Sequence, residues 1–208
     1  SEKMSEDATD LYNSAVVLGP DGFIGTYQKI HPFGTENLWC KKGETPFIFD
    51  TEWGPIGLGI CYDSYQFPEL VRYYVYKGAR LYLNPTAVIE EIPNEGSREA
   101  FVRCYTPHLE YSVLASSVYI ASANLTGYDN ASYFGGGSMV IGPKTNAFGE
   151  VDVVRYIGDD RDYQAKMFIG TIDLSLAVRH QCTVNPYAGT PDFRPEIYKK
   201  FYEDLEEK

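Results

Sequence analysis

The stretch Gly57-Leu58-Gly59-Ile60-Cys61-Tyr62-Asp63 constrains this chain more than any other. It is apolar and glycine-spaced, and it ends abruptly in a cysteine. Polar and aromatic residues follow, and Pro68-Glu69 then opens a helix-like segment. A cysteine at a strand end, on a sharp turn into a helix, can present its sulfur in a cleft. Helix backbone N–H groups nearby stabilise a thiolate and, later, an oxyanion. That is one way to mount a nucleophile. The other reading is a buried cysteine packed at a strand end, and on this stretch alone packing is the commoner case.

Strand-like and helix-like segments alternate along the chain. Tyr12 to Leu18 and Phe23 to Ile30 read as a hairpin around Gly19-Pro20-Asp21-Gly22. Pro46 to Asp50 and Pro55 to Ile60 read as the next pair of strands. Pro68 to Lys77 reads as a helix that Gly78 stops as a C-cap. Leu81 to Leu83 reads as a short buried strand, and Ser97 to Ser117 as largely helical, broken or kinked by Pro107. Val118 to Ala123, Ser138 to Ile141 and Met167 to Asp173 read as further strands. Arg179 to Pro195 reads as an extended tail and Pro195 to Glu206 as a terminal helix; Ser1 to Asp10 is polar and reads as a loop. No linker, repeat or low-complexity tract interrupts residues 1–208, so one domain is expected. Strands alternating with two core helices predict an α/β layered fold.

Composition narrows the roles open to such a domain. The 208 residues are 44% hydrophobic and 15% aromatic, which supplies one sizeable core. A net charge of −11 speaks against nucleic acid and anionic membrane surfaces as partners. No apolar run approaches transmembrane length, and no signal peptide is expected. The acidic run Glu203-Asp204-Leu205-Glu206-Glu207 reads as a solvated terminus. Cys40, Cys61, Cys104 and Cys182 are widely spaced, with no CxxC pair and no Cys/His cluster, so neither a metal nor a cofactor is expected. A reducing cytoplasm is the simplest compartment, because a nucleophilic thiol requires one. His31, His108 and His180 are scattered; a Cys–His pair stays open as an alternative, without a supporting signature.

Further motifs stand in a set order around the cysteine. Gly25-Thr26-Tyr27-Gln28-Lys29-Ile30-His31-Pro32-Phe33 is a strand-like run whose lysine precedes a turn, and Glu36 follows. Lysine, glutamate and cysteine in this order, with these neighbours, resemble the nitrilase or carbon–nitrogen hydrolase superfamily. The resemblance covers nearly the whole chain. Tyr12 to Val17 with Pro20-Asp21-Gly22 looks like the hairpin before the family's lysine. Lys77-Gly78-Ala79-Arg80 and Asn84-Pro85-Thr86-Ala87 are similar to the helix end and strand after its cysteine. Phe134-Gly135-Gly136-Gly137-Ser138 with Pro143 matches its late Gly-Ser strand, and Asp173-Leu174 and Arg194 to Tyr198 resemble its closing segment.

The resemblance implies an α-β-β-α sandwich of the nitrilase type, two stacked sheets with helices outside, incomplete at the N-terminus. The family's catalytic machinery is a Glu-Lys-Cys triad whose glutamate lies in a proline–glutamate segment after the first helix. Nothing before Lys29 resembles that segment, and Glu2 and Glu6 lack the apolar strand that would position a base. The chain is therefore expected to lack the family's first strands and helix and to be incomplete for catalysis. Cys61 would attack an amide or nitrile carbon and pass through a thioester that water hydrolyses. Lys29 would supply a fixed cation to the tetrahedral adduct, helped by the Tyr62 backbone N–H. Glu36 matches a second glutamate that orients the lysine, and Asn84 and Thr86 would line the substrate pocket. Without the cysteine motif, Lys29 reads as a solvated strand-end lysine and Glu36 as a loop carboxylate; Asn84-Pro85-Thr86 reads equally well as a plain strand-to-loop turn.

Two departures from the family pattern bear on substrate and packing. Ser64-Tyr65-Gln66 replaces a segment one residue shorter that often carries an arginine, which disfavours a carbamoyl amino acid substrate. Ser112-Val113-Leu114-Ala115-Ser116 stands where the family has an Arg-Ala-x-Glu-Asn run, and Glu110, one and a quarter turns earlier, is not expected to compensate. Alternatives to a small-molecule amide or nitrile hydrolase are a catalytically dead truncated or interaction homologue and an acyltransferase. Tyr73, Tyr74 and Tyr76, with Tyr105, Tyr111 and Val113, predict a homodimer or larger homo-oligomer, because adjacent tyrosines cannot all face one core.

Overall fold

The glycine spacing of the opening stretch is explained by two tyrosine rings. A Cβ on Gly57 would lie 2.5 Å from the Tyr74 ring, and one on Gly59 would lie 1.9 Å from the Tyr82 hydroxyl. Only backbone without side chains lets these rings close on the strand. The structure is a computed structural model that describes residues 2–3, 10–90, 95–130, 132–147, 150–159 and 162–206.

In chain order the strands are β1 (Glu2–Lys3), β2 (Leu11–Tyr12), β3 (Ser14–Gly19), β4 (Gly22–Gln28), β5 (Phe47–Thr51), β6 (Gly54–Leu58), β7 (Leu81–Thr86), β8 (Tyr119–Asn124), β9 (Thr126–Asp129), β10 (Ser132–Gly135), β11 (Met139–Thr145) and β12 (Val151–Gly158). The helices are α1 (Tyr62–Gln66), α2 (Pro68–Tyr76), α3 (Glu95–Ser116) and α4 (Pro195–Glu206). Six strands form one mixed sheet in the order β12-β11-β8-β7-β6-β5. Its centre, β6-β7-β8, is parallel, and the outer pairs are antiparallel. Parallel neighbours need crossovers: α1 and α2 bridge β6 to β7, and α3 bridges β7 to β8.

The two faces of the sheet have different jobs. Leu70, Val71, Tyr74 and Val75 of α2 and Leu109 and Val113 of α3 form one buried cluster with Tyr82 and Ile120 of the sheet. Side chains alternate along a strand, so Leu83 and Pro85 turn the opposite way, into an open cleft. The antiparallel hairpin β3–β4, closed by Gly19 against Gly22, contributes residues 14–18 to that cleft. The layered α/β architecture expected from the sequence is therefore present.

Several local expectations need correction. Pro107 lies inside α3 without ending it; a proline removes one helical hydrogen bond, and here Thr106, Leu109, Ser112 and Val113 stay buried around it. Residues 167–173 are irregular rather than a strand, and Phe168, Ile169 and Gly170 edge the cleft. Apolar spacing signals burial against a surface as readily as strand pairing. Strands β9, β10 and β12 and the short helix α1 were not expected. Within the polar start, Glu2–Lys3 pairs with Leu11–Tyr12, whereas Glu6 lies outside the described residues. Among the described residues no helix is long and apolar enough to cross a membrane.

Candidate active site

Cys61 lies beyond the end of β6, directly before α1. Its backbone holds φ +52° and ψ −104°, a conformation that residues with a Cβ adopt only under constraint, at roughly 1–3 kcal/mol. The constraint is visible. The Cys61 N–H donates to Asn84 Oδ1 at 3.1 Å and points also at the Pro85 carbonyl at 3.1 Å. Asp63 N–H donates to the Ile60 carbonyl and Ser64 N–H to the Cys61 carbonyl, closing the turn on both sides of the sulfur.

A buried polar network beneath the turn keeps it in place. Asn84 Oδ1 also accepts from Ser64 Oγ at 2.7 Å, and Asn84 Nδ2 donates to Ser122 Oγ at 3.0 Å and Tyr65 O–H at 3.3 Å. Tyr65 donates in turn to Thr86 Oγ1 at 3.3 Å. Burial pushes the Tyr65 hydroxyl up to about 12, so it stays a neutral donor. Asn84 and Thr86 both line the cleft, yet their polar atoms are committed to this network. They sit where they brace Cys61.

Lys29 follows β4 directly. It is 1% exposed, and Nζ donates to Glu36 Oε2 at 2.7 Å. Glu36 lies in a 3₁₀ turn over Gly34–Leu38 and also accepts from Asn13 Nδ2 at 2.9 Å and Phe33 N–H at 2.6 Å. Three donors thus converge on one carboxylate. Lys29, Glu36, Cys61, Asn84 and Thr86 line one cleft of about 1060 Å³. Tyr62 does not line it; its ring packs edge-on against Phe33 and Phe67, with centroids 5.0 and 5.2 Å apart. The Tyr62 N–H heads α1, where helix geometry supplies no acceptor.

The other candidates fall elsewhere. Glu110 is on α3 and does not line the cleft. No histidine lines it either: His31 bonds Asp63, His180 meets Ser117 Oγ at 2.9 Å, and the His108 ring lies 6.4 Å from that of Tyr65. Among the described lining residues, Glu36 is the one carboxylate, and Lys29 and Lys166 are the cations; Lys166 is paired with Asp162. No cluster of three or more His, Cys, Asp or Glu able to hold a metal occurs among the described residues. Sequence reasoning missed Asn13, Ser64, Ser122 and Asp63 as supporting groups. Asp63 alone carried a signal, its place in the cysteine motif.

The family model described as carbon–nitrogen hydrolase matches residues 1–153. A nitrilase of Pyrococcus abyssi is 35% identical over 141 residues, covering 67% of this chain and 48% of the relative. Omega-amidase NIT2 of Homo sapiens is 33% identical, covering 70% of this chain and 52% of the relative. N-carbamoylputrescine amidase of Arabidopsis thaliana is 29% identical, covering 93% and 64%. The chain thus spans roughly half to two thirds of the length of these curated relatives. Among solved structures, a carbon–nitrogen hydrolase from Helicobacter pylori G27 shares the fold with a TM-score of 0.67 at 24% identity, over 85% of this chain and 61% of that one. A mutant amidase from Nesterenkonia sp. AN1, with acrylamide added at its active-site cysteine, aligns with a TM-score of 0.52 at 26% identity, over 67% of this chain and 54% of that one.

Proposed function

The chain belongs to the carbon–nitrogen hydrolase family, and from that premise we propose that Cys61 is the nucleophile that takes an acyl group from a small-molecule amide. The observation that carries this reading is a strained cysteine turn opening on the same cleft as a buried Lys29 paired with the part-buried Glu36. Attack by sulfur on the carbonyl carbon forms a C–S bond and puts charge on oxygen. The Lys29 ammonium and the Tyr62 N–H stabilise that charge. The adduct collapses, the C–N bond breaks, and the amine leaves with the proton that the Cys61 thiol gave up. Water then cleaves the thioester.

Amide is taken as the substrate class with nitrile kept beside it, because relatives named omega-amidase and N-carbamoylputrescine amidase and relatives named nitrilase all align over most of this chain. Glu36 orients Lys29 in this scheme. With three donors already on its oxygens, it is poorly placed to shuttle protons as well. The described lining holds no second carboxylate, so the 208-residue chain should turn amides over about 10²–10⁴-fold below an enzyme with a positioned base. The same observation favours a second reading, a non-catalytic homologue. An acyltransferase differs only in the acceptor.

A p-nitrophenyl ester separates these readings, because its leaving group departs without a proton. The expected result is a burst of one nitrophenolate per chain, with the acyl group mapped to Cys61 and absent in Cys61→Ala. Acylation spread over the exposed Cys104, or no burst, would establish the non-catalytic reading. Release accelerated by an added amine, with the amide as product, would establish acyl transfer. A reducing, cytoplasmic setting is part of the proposal, since all four cysteines are free thiols.

We further propose that the chain self-associates through its helical face. Tyr74 and Val113 belong to its own core, so an interface must use Tyr73, Tyr76, Tyr111 and Leu114, which remain 40–56% exposed. These amphipathic rings suit an interface. Light scattering at micromolar concentration should give at least twice 23.4 kDa; a monomer mass that does not change on concentrating rules the interface out.

A further inference from the structure

Strand β4, which leads to Lys29, and strand β6, which leads to Cys61, do not pair with each other. Something else must set the separation of the two side chains. Asp63 is fully buried, and four donors converge on its carboxylate. Oδ2 accepts from Tyr27 O–H at 2.8 Å and Ile60 N–H at 3.0 Å. Oδ1 accepts from His31 N–H at 3.0 Å and from His31 Nδ1 at 2.8 Å, in the tautomer a carboxylate selects. Tyr27 and His31 flank Lys29 two residues to either side, and Ile60 immediately precedes Cys61.

We propose that Asp63 is a positioning residue that holds the Lys29 cation and the Cys61 sulfur in register; this rests on the nucleophile reading above. The carboxylate has about four lone-pair directions, and all are taken. Two further contacts stiffen the same knot. Tyr27 O accepts the Ile30 N–H at 3.3 Å, and the His31 ring stacks on Phe67 with centroids 3.5 Å apart. Burial, and then the Asp63 charge, hold the Tyr27 hydroxyl far above its ordinary value, so it remains a donor. An asparagine of the same shape cannot replace the aspartate. Its amide nitrogen would face the backbone N–H of Ile60 in one orientation and that of His31 in the other. Either way one backbone donor is pushed off and one of the two motifs shifts.

The test is a double-mutant cycle read on thiol chemistry. Iodoacetamide alkylation of Cys61 is followed by peptide mapping in the 208-residue chain with Asp63→Asn, Lys29→Met and both. Buried Cys40 reports the integrity of the fold and exposed Cys104 the reagent. Asp63→Asn is expected to slow Cys61 alkylation about tenfold or more, as misplacement of a site by an ångström does, and less than about twofold when Lys29 is already Met. A loss of equal size in both backgrounds, or none, overturns the proposal. If Asp63→Asn exposes Cys40, His31→Ala decides by the same cycle, with a loss of about threefold that vanishes without Lys29; a loss that persists there, or no loss, overturns it. Failure of the nucleophile reading has a separate signature, the absence of an ester burst at Cys61 whatever the alkylation rates.

Discussion

Replacing Glu36 with alanine is expected to lower folding stability by about 3–5 kcal/mol, the usual consequence of leaving a buried charge without its partner. Lys29 is 1% exposed, and among the described residues the Glu36 carboxylate is the acceptor recorded for its ammonium. Alanine leaves that cation unpaired away from water and strips the acceptor from Asn13 Nδ2 and Phe33 N–H as well. The reverse change should be milder. Lys29→Met puts an apolar chain of similar length into the buried site, and Glu36, 24% exposed, keeps water and its two other donors; about 1–2 kcal/mol is expected. Urea unfolding of the two variants checks the asymmetry. Equal losses, or a Glu36→Ala loss under about 1 kcal/mol, would mean that the pair is not the buried anchor described here.

Cys61→Gly is expected to remove acylation by a p-nitrophenyl ester by about 10⁴-fold or more, as loss of a nucleophile does, and yet to unfold at higher urea than Cys61→Ala. The chemistry disappears with the sulfur in both variants. The backbone does not behave alike. At φ +52° and ψ −104° alanine keeps a strained Cβ, whereas glycine reaches this region freely. The relief should be on the order of 1 kcal/mol, net of the greater freedom glycine has when unfolded. Strain at this residue would then be tied to presenting the sulfur. A glycine variant less stable than the alanine variant would remove the strain argument, and a burst surviving in either would remove Cys61 from the chemistry.

Much of the layer plan was legible locally. The hairpin around Gly19-Pro20-Asp21-Gly22, the helix opened by Pro68 and capped before Gly78, and the terminal helix from Pro195 all carry short-range signals, and all are present. Signals failed where neighbours in space decide. The 167–173 segment has strand-like residues but forms no strand, and Pro107 sits inside a helix without breaking it. The tyrosines of α2 divide the same way: Tyr74 enters the core under Gly57, whereas Tyr73 and Tyr76 stay half exposed. Helical spacing puts Tyr74 on the face of Leu70, Val71 and Val75; the glycine on another element that admits its ring is visible only in the tertiary structure.

By itself the sequence determined the order of the candidate groups, because a lysine run, a glutamate and a strand-end cysteine are each read within a few residues. It also determined the family, since a set of motifs in fixed order does not need coordinates. Only the tertiary structure decided what those groups do to one another. It set Asn84 and Thr86, which line the cleft, into the hydrogen-bonded network beneath Cys61, left Glu110 off the cleft, and brought Asp63 between two strands that do not pair. The physical reason is range. Turns and caps are set by adjacent residues, whereas hydrogen bonds that span 19 to 38 positions of chain, as those of Asn84 and those from Tyr27 and His31 to Asp63 do, exist only once the layers have closed.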